Sequence, residues 1–133
     1  MPPEARQSEP CRVDTPGLSF AGMSQAVRHG DVVHVSGQVA LDARAELVGE
    51  GDAAAQAEQV LANVEAALAA AGAGPADLVK LTCFLTDPAH YPAYAAAKQS
   101  RYGTVAPAST CVVVSALLDP RFLLEVEAVA VVS

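Results

Sequence analysis

This sequence predicts an α+β single domain: a mixed sheet with two helices on one face. Three observations carry that prediction. At 133 residues the chain suits one domain with room for a real core. Its hydrophobic pattern alternates between a period of two and a helical period, in the order strands, helix, strand, helix, two strands. No repeat or internal linker divides it, and a sheet covered by both helices on one side satisfies the layer rules for such an order.

Each element follows from local chemistry. The opening "MPPEARQSEP" has two acids and no apolar run of the signal-peptide kind, so residues 1–10 read as a flexible tail before a domain over 11–133. Two short strands are expected at "CRVD" and "LSFAG", separated by Thr15-Pro16-Gly17, a turn signal. After the turn signal His29-Gly30-Asp31, "VVHVSGQVAL" alternates as a half-buried strand, interrupted at Gly37. "DARAELVGEG" is loop.

From Asp52 to Ala71 the chain is alanine-rich, with Val60, Leu61, Val64 and Leu68 forming an apolar stripe. Asp52 is the expected N-cap, and Gly72 the stop. Pro75 leads into a brief helical turn. "LVKLTCFLTD" reads as a strand with Val79, Leu81, Cys83 and Leu85 on one face. "PAHYPAYAAAKQSRYG" is a second helix, with Pro88 tolerated in its first turn. Two strands, "TCVVVSAL" and "FLLEVEAVAVV", close the chain around the turn "LDPR".

Composition narrows the function. Hydrophobic residues make up 52% and charged residues 17%, with a mean hydropathy of +0.29. That is too apolar for disorder and sparse in charge for a small monomer's surface. No apolar run approaches the roughly 18 residues of a membrane span, so the excess points to subunit contacts. A net charge of −7 argues against a surface that tracks phosphates, which needs clustered Lys and Arg. Cys11, Cys83 and Cys111 lack metal-ligand spacing and suit free thiols in a reducing cytoplasm. His29, His34 and His90 also lack metal spacing, and no phosphate-binding glycine loop or zinc motif is present. Neither a metal nor a cofactor is expected.

Among candidate chemical groups, Glu125 and Glu127 share a face of an apolar strand. Either could simply be wetted by solvent, but Glu125 follows Leu123 and Leu124 in a strand that reads as central. A carboxylate there is paired or has a raised pKa, as a general acid or water-holding group does. Ser36-Gly37 fits a bulge, and it also fits a place where a ligand carbonyl approaches the backbone closely. Cys111 reads as a small buried hydrophobe, with no neighbouring base in sequence to activate it.

The order "SQAV", "VSGQ", the helix–strand unit "AQAEQVLANVEAALAAAGAGPADLVKLTCFLTD", "PAS" and "EVEAVAV" closely resembles the Rid superfamily, also called YjgF/YER057c/UK114, from about Ala21 to Val131. Namesake members hydrolyse reactive enamines and imines. The resemblance implies a chorismate-mutase-like (bacillar type) fold assembled as a homotrimer around a sheet barrel, with a small-molecule ligand in clefts lined by two chains. It implies catalysis by Glu125, holding the attacking water, and binding by Ser36, Gly37 and Cys111. Two family positions depart. "PAST" puts Ser109 where imine-hydrolysing members carry an arginine that forks onto the substrate carboxylate. "AGMSQAV" puts Met23 where tyrosine is usual, and Ala95 loosely corresponds to a frequent asparagine.

Serine cannot reproduce a bidentate guanidinium contact. Its loss implies a substrate other than a free 2-imino acid, unless another cation, such as Arg121, replaces it. The alternative is a trimeric ligand-binding or regulatory protein without chemistry of its own. Ribonuclease activity, attached to some relatives by name, sits poorly with the acidic balance, and neither nucleic acid nor membrane is an expected partner.

Overall fold

The structure is a computed structural model, and it describes residues 9–133. The expected tail over 1–10 lies almost wholly outside them. The chain forms β1 (Cys11–Val13), β2 (Ala26–His29), β3 (Val32–Gln38), α1 (Ala53–Ala70), β4 (Leu78–Leu85), α2 (Tyr91–Tyr102), β5 (Ala108–Val113) and β6 (Leu124–Val131). Short 3-10 turns at Pro75–Asp77 and Pro88–His90 precede β4 and α2. One six-stranded sheet runs in the order β1-β2-β3-β6-β4-β5. The β4–β5 pair is parallel and the remaining neighbours are antiparallel, so the sheet is mixed.

Both helices cover the same face. Val60, Leu61, Val64 and Leu68 of α1, with Tyr94 and Ala97 of α2, join the core formed by Val33, Leu81, Cys83, Val126 and Ala128 of the sheet. The Asp52 carboxylate accepts a hydrogen bond from the Ala55 N–H at 3.1 Å and so caps α1. Gly72, at φ +79°, ends it in the left-handed conformation that glycine adopts without strain. The helices are also tied by charge, since Arg101 of α2 reaches Glu58 at 3.1 Å and also pairs with Glu65, both on α1.

Four expectations need correction. Residues 18–22 are not a strand, because the alternating Leu18 and Phe20 turn toward a cavity instead of a neighbouring strand. The strand belongs at Ala26–His29, joined to β3 by the two-residue loop Gly30-Asp31 with Gly30 at φ +62°. In β4 the ladder slips between Leu78 and Lys80. That slip buries Leu78 and leaves Val79 exposed, opposite to a strict period of two. The first turn after Pro88 is 3-10, with the α-helix starting at Tyr91. Finally, β5 runs Ala108–Val113, two residues earlier than expected, and stops where its only neighbour ends, at the pair Leu85–Val113.

Candidate active site

In β6 the core-facing Leu124, Val126, Ala128 and Ala130 alternate with Glu125, Glu127, Val129 and Val131 on the helix-free face. Glu125 is half-buried there and Glu127 is exposed. Opposite Glu127, the neighbouring strand β3 carries a bulge. Val35 pairs with Ala128 and Gln38 with Val126, which leaves Ser36 and Gly37 facing a single residue. The bulge brings Gly37 against Glu125. A Cβ at position 37 would stand 2.3 Å from Glu125 Oε2 and 2.8 Å from its Cδ. Glycine at 37 is therefore what makes room for the carboxylate.

Glu125 and Gly37 lie in a cavity of about 390 Å³ with mostly apolar walls, formed by Leu18, Phe20, Met23, Leu41 and Phe122. Glu125 is the one ionisable side chain among its lining residues. Burial, with the negative charge of Glu127 second, pushes the Glu125 carboxyl above its ordinary value. Gln25 and Gln38 complete the lining. Gln38 Nε2 donates to Gln25 Oε1 at 2.7 Å, which leaves the buried Gln25 Nε2 without a partner beside the cavity. Ser36 braces the wall from behind, its hydroxyl donating to the Ser24 carbonyl at 2.6 Å.

Two buried amides of α1 hold the loops that shape this cavity. Gln56 Nε2 donates to the carbonyls of Gly49 and Arg121 at 3.0 and 2.9 Å, and its Oε1 accepts from the Leu123 N–H at 2.9 Å. Asn63 Nδ2 donates to the carbonyls of Val39 and Leu41 at 2.9 and 2.8 Å.

Ser109 and Cys111 stand elsewhere. In the parallel β4–β5 register Ser109 pairs with Leu81 and Cys111 with Cys83, both partners buried in the core, so they face the helices. Within one chain they lie on the opposite sheet face from Glu125. Ser109 has a cation beside it, because Lys98 Nζ of α2 donates to its Oγ at 2.9 Å. Arg121, considered above as a replacement cation, is instead held by Asp119 through contacts of 2.8 and 3.1 Å. Cys11, Cys83 and Cys111 are free thiols, and burial pushes the Cys83 thiol up. His34 is exposed on β3. Among the described residues no three of His, Cys, Asp and Glu converge as metal ligands. None of the helices there is long and apolar enough to cross a membrane.

Sequence reasoning missed Lys98, Gln25 and Gln38 as site residues. Gln25 and Gln38 stand inside the quoted motifs "SQAV" and "VSGQ", and their side chains pair only because β2 and β3 form a hairpin. Lys98 looked like one polar residue on an alanine-rich helix, with nothing in its neighbours to mark it.

This geometry can hold a small, largely apolar molecule against one carboxyl group whose proton affinity has been raised. Such a group takes a proton from water or returns one to a leaving atom near neutral pH. Known proteins share the framework. Residues 17–132 match the family model described as Endoribonuclease L-PSP. A 2-iminobutanoate/2-iminopropanoate deaminase of Salmonella typhimurium is 37% identical over 110 residues, covering 80% of this chain and 84% of its own. The 3-aminoacrylate deaminase RutC of Acinetobacter baylyi is 36% identical over 105 residues, covering 79% and 82%. A solved Mycobacterium tuberculosis structure, a member of the YjgF/YER057c/UK114 family, superposes with a TM-score of 0.82 at 32% identity over 93% of this chain and all of its own.

Proposed function

This chain belongs to the Endoribonuclease L-PSP family, the Rid superfamily, and from that premise we propose that it is an enzyme hydrolysing a small imine or enamine. The observation that carries the proposal is the half-buried Glu125 against Gly37 in a cavity without another ionisable wall residue. In that reaction water adds to the C=N carbon while the carboxylate of Glu125 takes one of its protons. The proton then passes to nitrogen, and the C–N bond breaks to release ammonia and a carbonyl compound. Relatives named as imine and aminoacrylate deaminases support this chemistry. A ribonuclease reading, which the family description suggests, meets a chain of net charge −7.

The substrate proposed is one whose carboxylate is absent, masked or held otherwise than by an arginine, because Ser109 offers no guanidinium fork. The working unit proposed is a chorismate-mutase-like trimer with the ligand between subunits, in a reducing cytoplasm. Two features support the trimer. The helix-free face is apolar, with Phe84 and Val129 half-buried and Val112 and Val131 still 41% and 42% exposed. In addition, Glu125 and Ser109 lie on opposite faces of one chain's sheet and meet one ligand only if two chains contribute.

The test is turnover of imines generated in situ, comparing the native chain with Glu125→Gln. The expected loss is about a hundredfold or more, the usual contribution of a general base. Equal rates in the two proteins exclude Glu125 from the chemistry, and ligand binding without consumption identifies a binding protein instead.

A further inference from the structure

The contact between Lys98 and Ser109 belongs to a larger arrangement that contains only donors. Lys98 is half-buried and pairs with no acid among the described residues, whereas the guanidinium groups of Arg28, Arg101 and Arg121 each reach one. Its ammonium is nevertheless fixed in place, 2.9 Å from Ser109 Oγ and 5.5 Å from the centre of the Tyr94 ring. Because Ser109 Oγ accepts from Lys98, its own hydrogen remains free to donate. Beside them the Tyr94 hydroxyl, on a fully buried residue, has no hydrogen-bond partner. An unpartnered buried hydroxyl is costly to keep, and it needs an explanation. Next to this group a depression of about 200 Å³ opens along Lys98, Tyr102, Gly103, Ala106 and Pro107.

We propose that Lys98, Ser109 and Tyr94 form an anion subsite that takes a small carboxylate. Three donors, one of them charged, match an oxygen that carries negative charge and leave a neutral carbonyl less well served. A lysine is a compact point charge rather than a planar fork, so it holds the carboxylate through one oxygen and permits more than one orientation. Of the three substrate types left open above, the subsite selects the carboxylate that is held otherwise. The assignment of the anion to the substrate rests on the imine-hydrolysis reading; the subsite itself does not.

Its test therefore begins with binding, which needs no turnover. Titration of the full-length protein with 2-oxobutanoate and with its neutral counterpart 2-butanone, followed by NMR shifts, is expected to show saturable binding of the first only. Lys98→Met is expected to weaken that binding by about tenfold or more, and Lys98→Arg to retain most of it. Tyr94→Phe is expected to weaken binding while leaving the Tm unchanged or raised, since it removes an unpartnered hydroxyl. A merely structural tyrosine would lower Tm and leave binding alone. Unchanged affinity in Lys98→Met, or equal binding of both probes, overturns the subsite.

The second arm compares KM for a carboxylate-bearing and a neutral imine. Lys98→Met is expected to raise the first about tenfold relative to the second. Lost 2-oxobutanoate binding with an unchanged KM ratio overturns the assignment to substrate and marks a separate effector. If the native protein turns over no imine, the functional reading fails, and the binding titration still decides the subsite.

Discussion

Replacing Gly37 by alanine separates activity from stability. The new Cβ would lie 2.3 Å from Glu125 Oε2, 2.8 Å from Cδ and 3.1 Å from Cγ. Carbon contacts settle at about 3.5–4.0 Å, so the carboxylate has to retreat by about 1 Å or change rotamer. The atoms that must move are the far end of a flexible side chain, and Gly37 does not have a positive φ. The folding cost is therefore that of one displaced rotamer, about 1 kcal/mol. Catalysis has no such tolerance, because misplacing a reacting group by about 1 Å can cost on the order of a hundredfold in rate. Thermal unfolding and imine turnover measured on the same Gly37→Ala preparation check both numbers. A small drop in Tm with kcat reduced to the level of Glu125→Gln is expected. Full activity in Gly37→Ala would show that the carboxylate's position against the bulge has no bearing on the reaction.

Two further outcomes follow from the same geometry. Burial and Glu127 raise the Glu125 pKa above the ordinary 4.5, so the acidic limb of kcat/KM should lie above that value and move down in Glu127→Gln; an unmoved limb assigns it to another group. The folded chain binds that proton more tightly than the unfolded one, so ionising Glu125 lowers stability as pH rises from 4.5 through the folded pKa. Glu125→Gln should accordingly unfold at a higher Tm than the native protein at neutral pH, with the gap closing below about pH 4.5. For the assembly, sedimentation should give three chains for the native protein and a smaller species for Val112→Lys, which puts a charge on the apolar sheet face. A native monomer that turns over imines would dismiss the trimer.

How legible each part was depended on how local its cause is. The first helix could be read to within a residue, because Asp52, the alanine run and Gly72 act through contacts within a turn or two. The strand at Glu125 was equally plain from its apolar alternation. The strand near residue 20 was misplaced because Leu18 and Phe20 follow a strand's period while serving as cavity wall. The slip at Leu78–Lys80 was invisible, since a ladder shift arises from how two distant strands pair.

What the sequence determined by itself was the class of fold, the single carboxylate worth suspecting and the absence of the expected arginine at Ser109. These follow from residue type and short-range pattern. Tertiary structure alone decided that Gly37 faces Glu125, that Ser109 turns to the other side of the sheet, and that Lys98 comes to meet it. Those facts depend on a bulge, a parallel register and a helix laid across an edge strand, each set by partners far away in the chain. Side-chain direction in a sheet reverses with a shift of one residue, so no local reading could have supplied them.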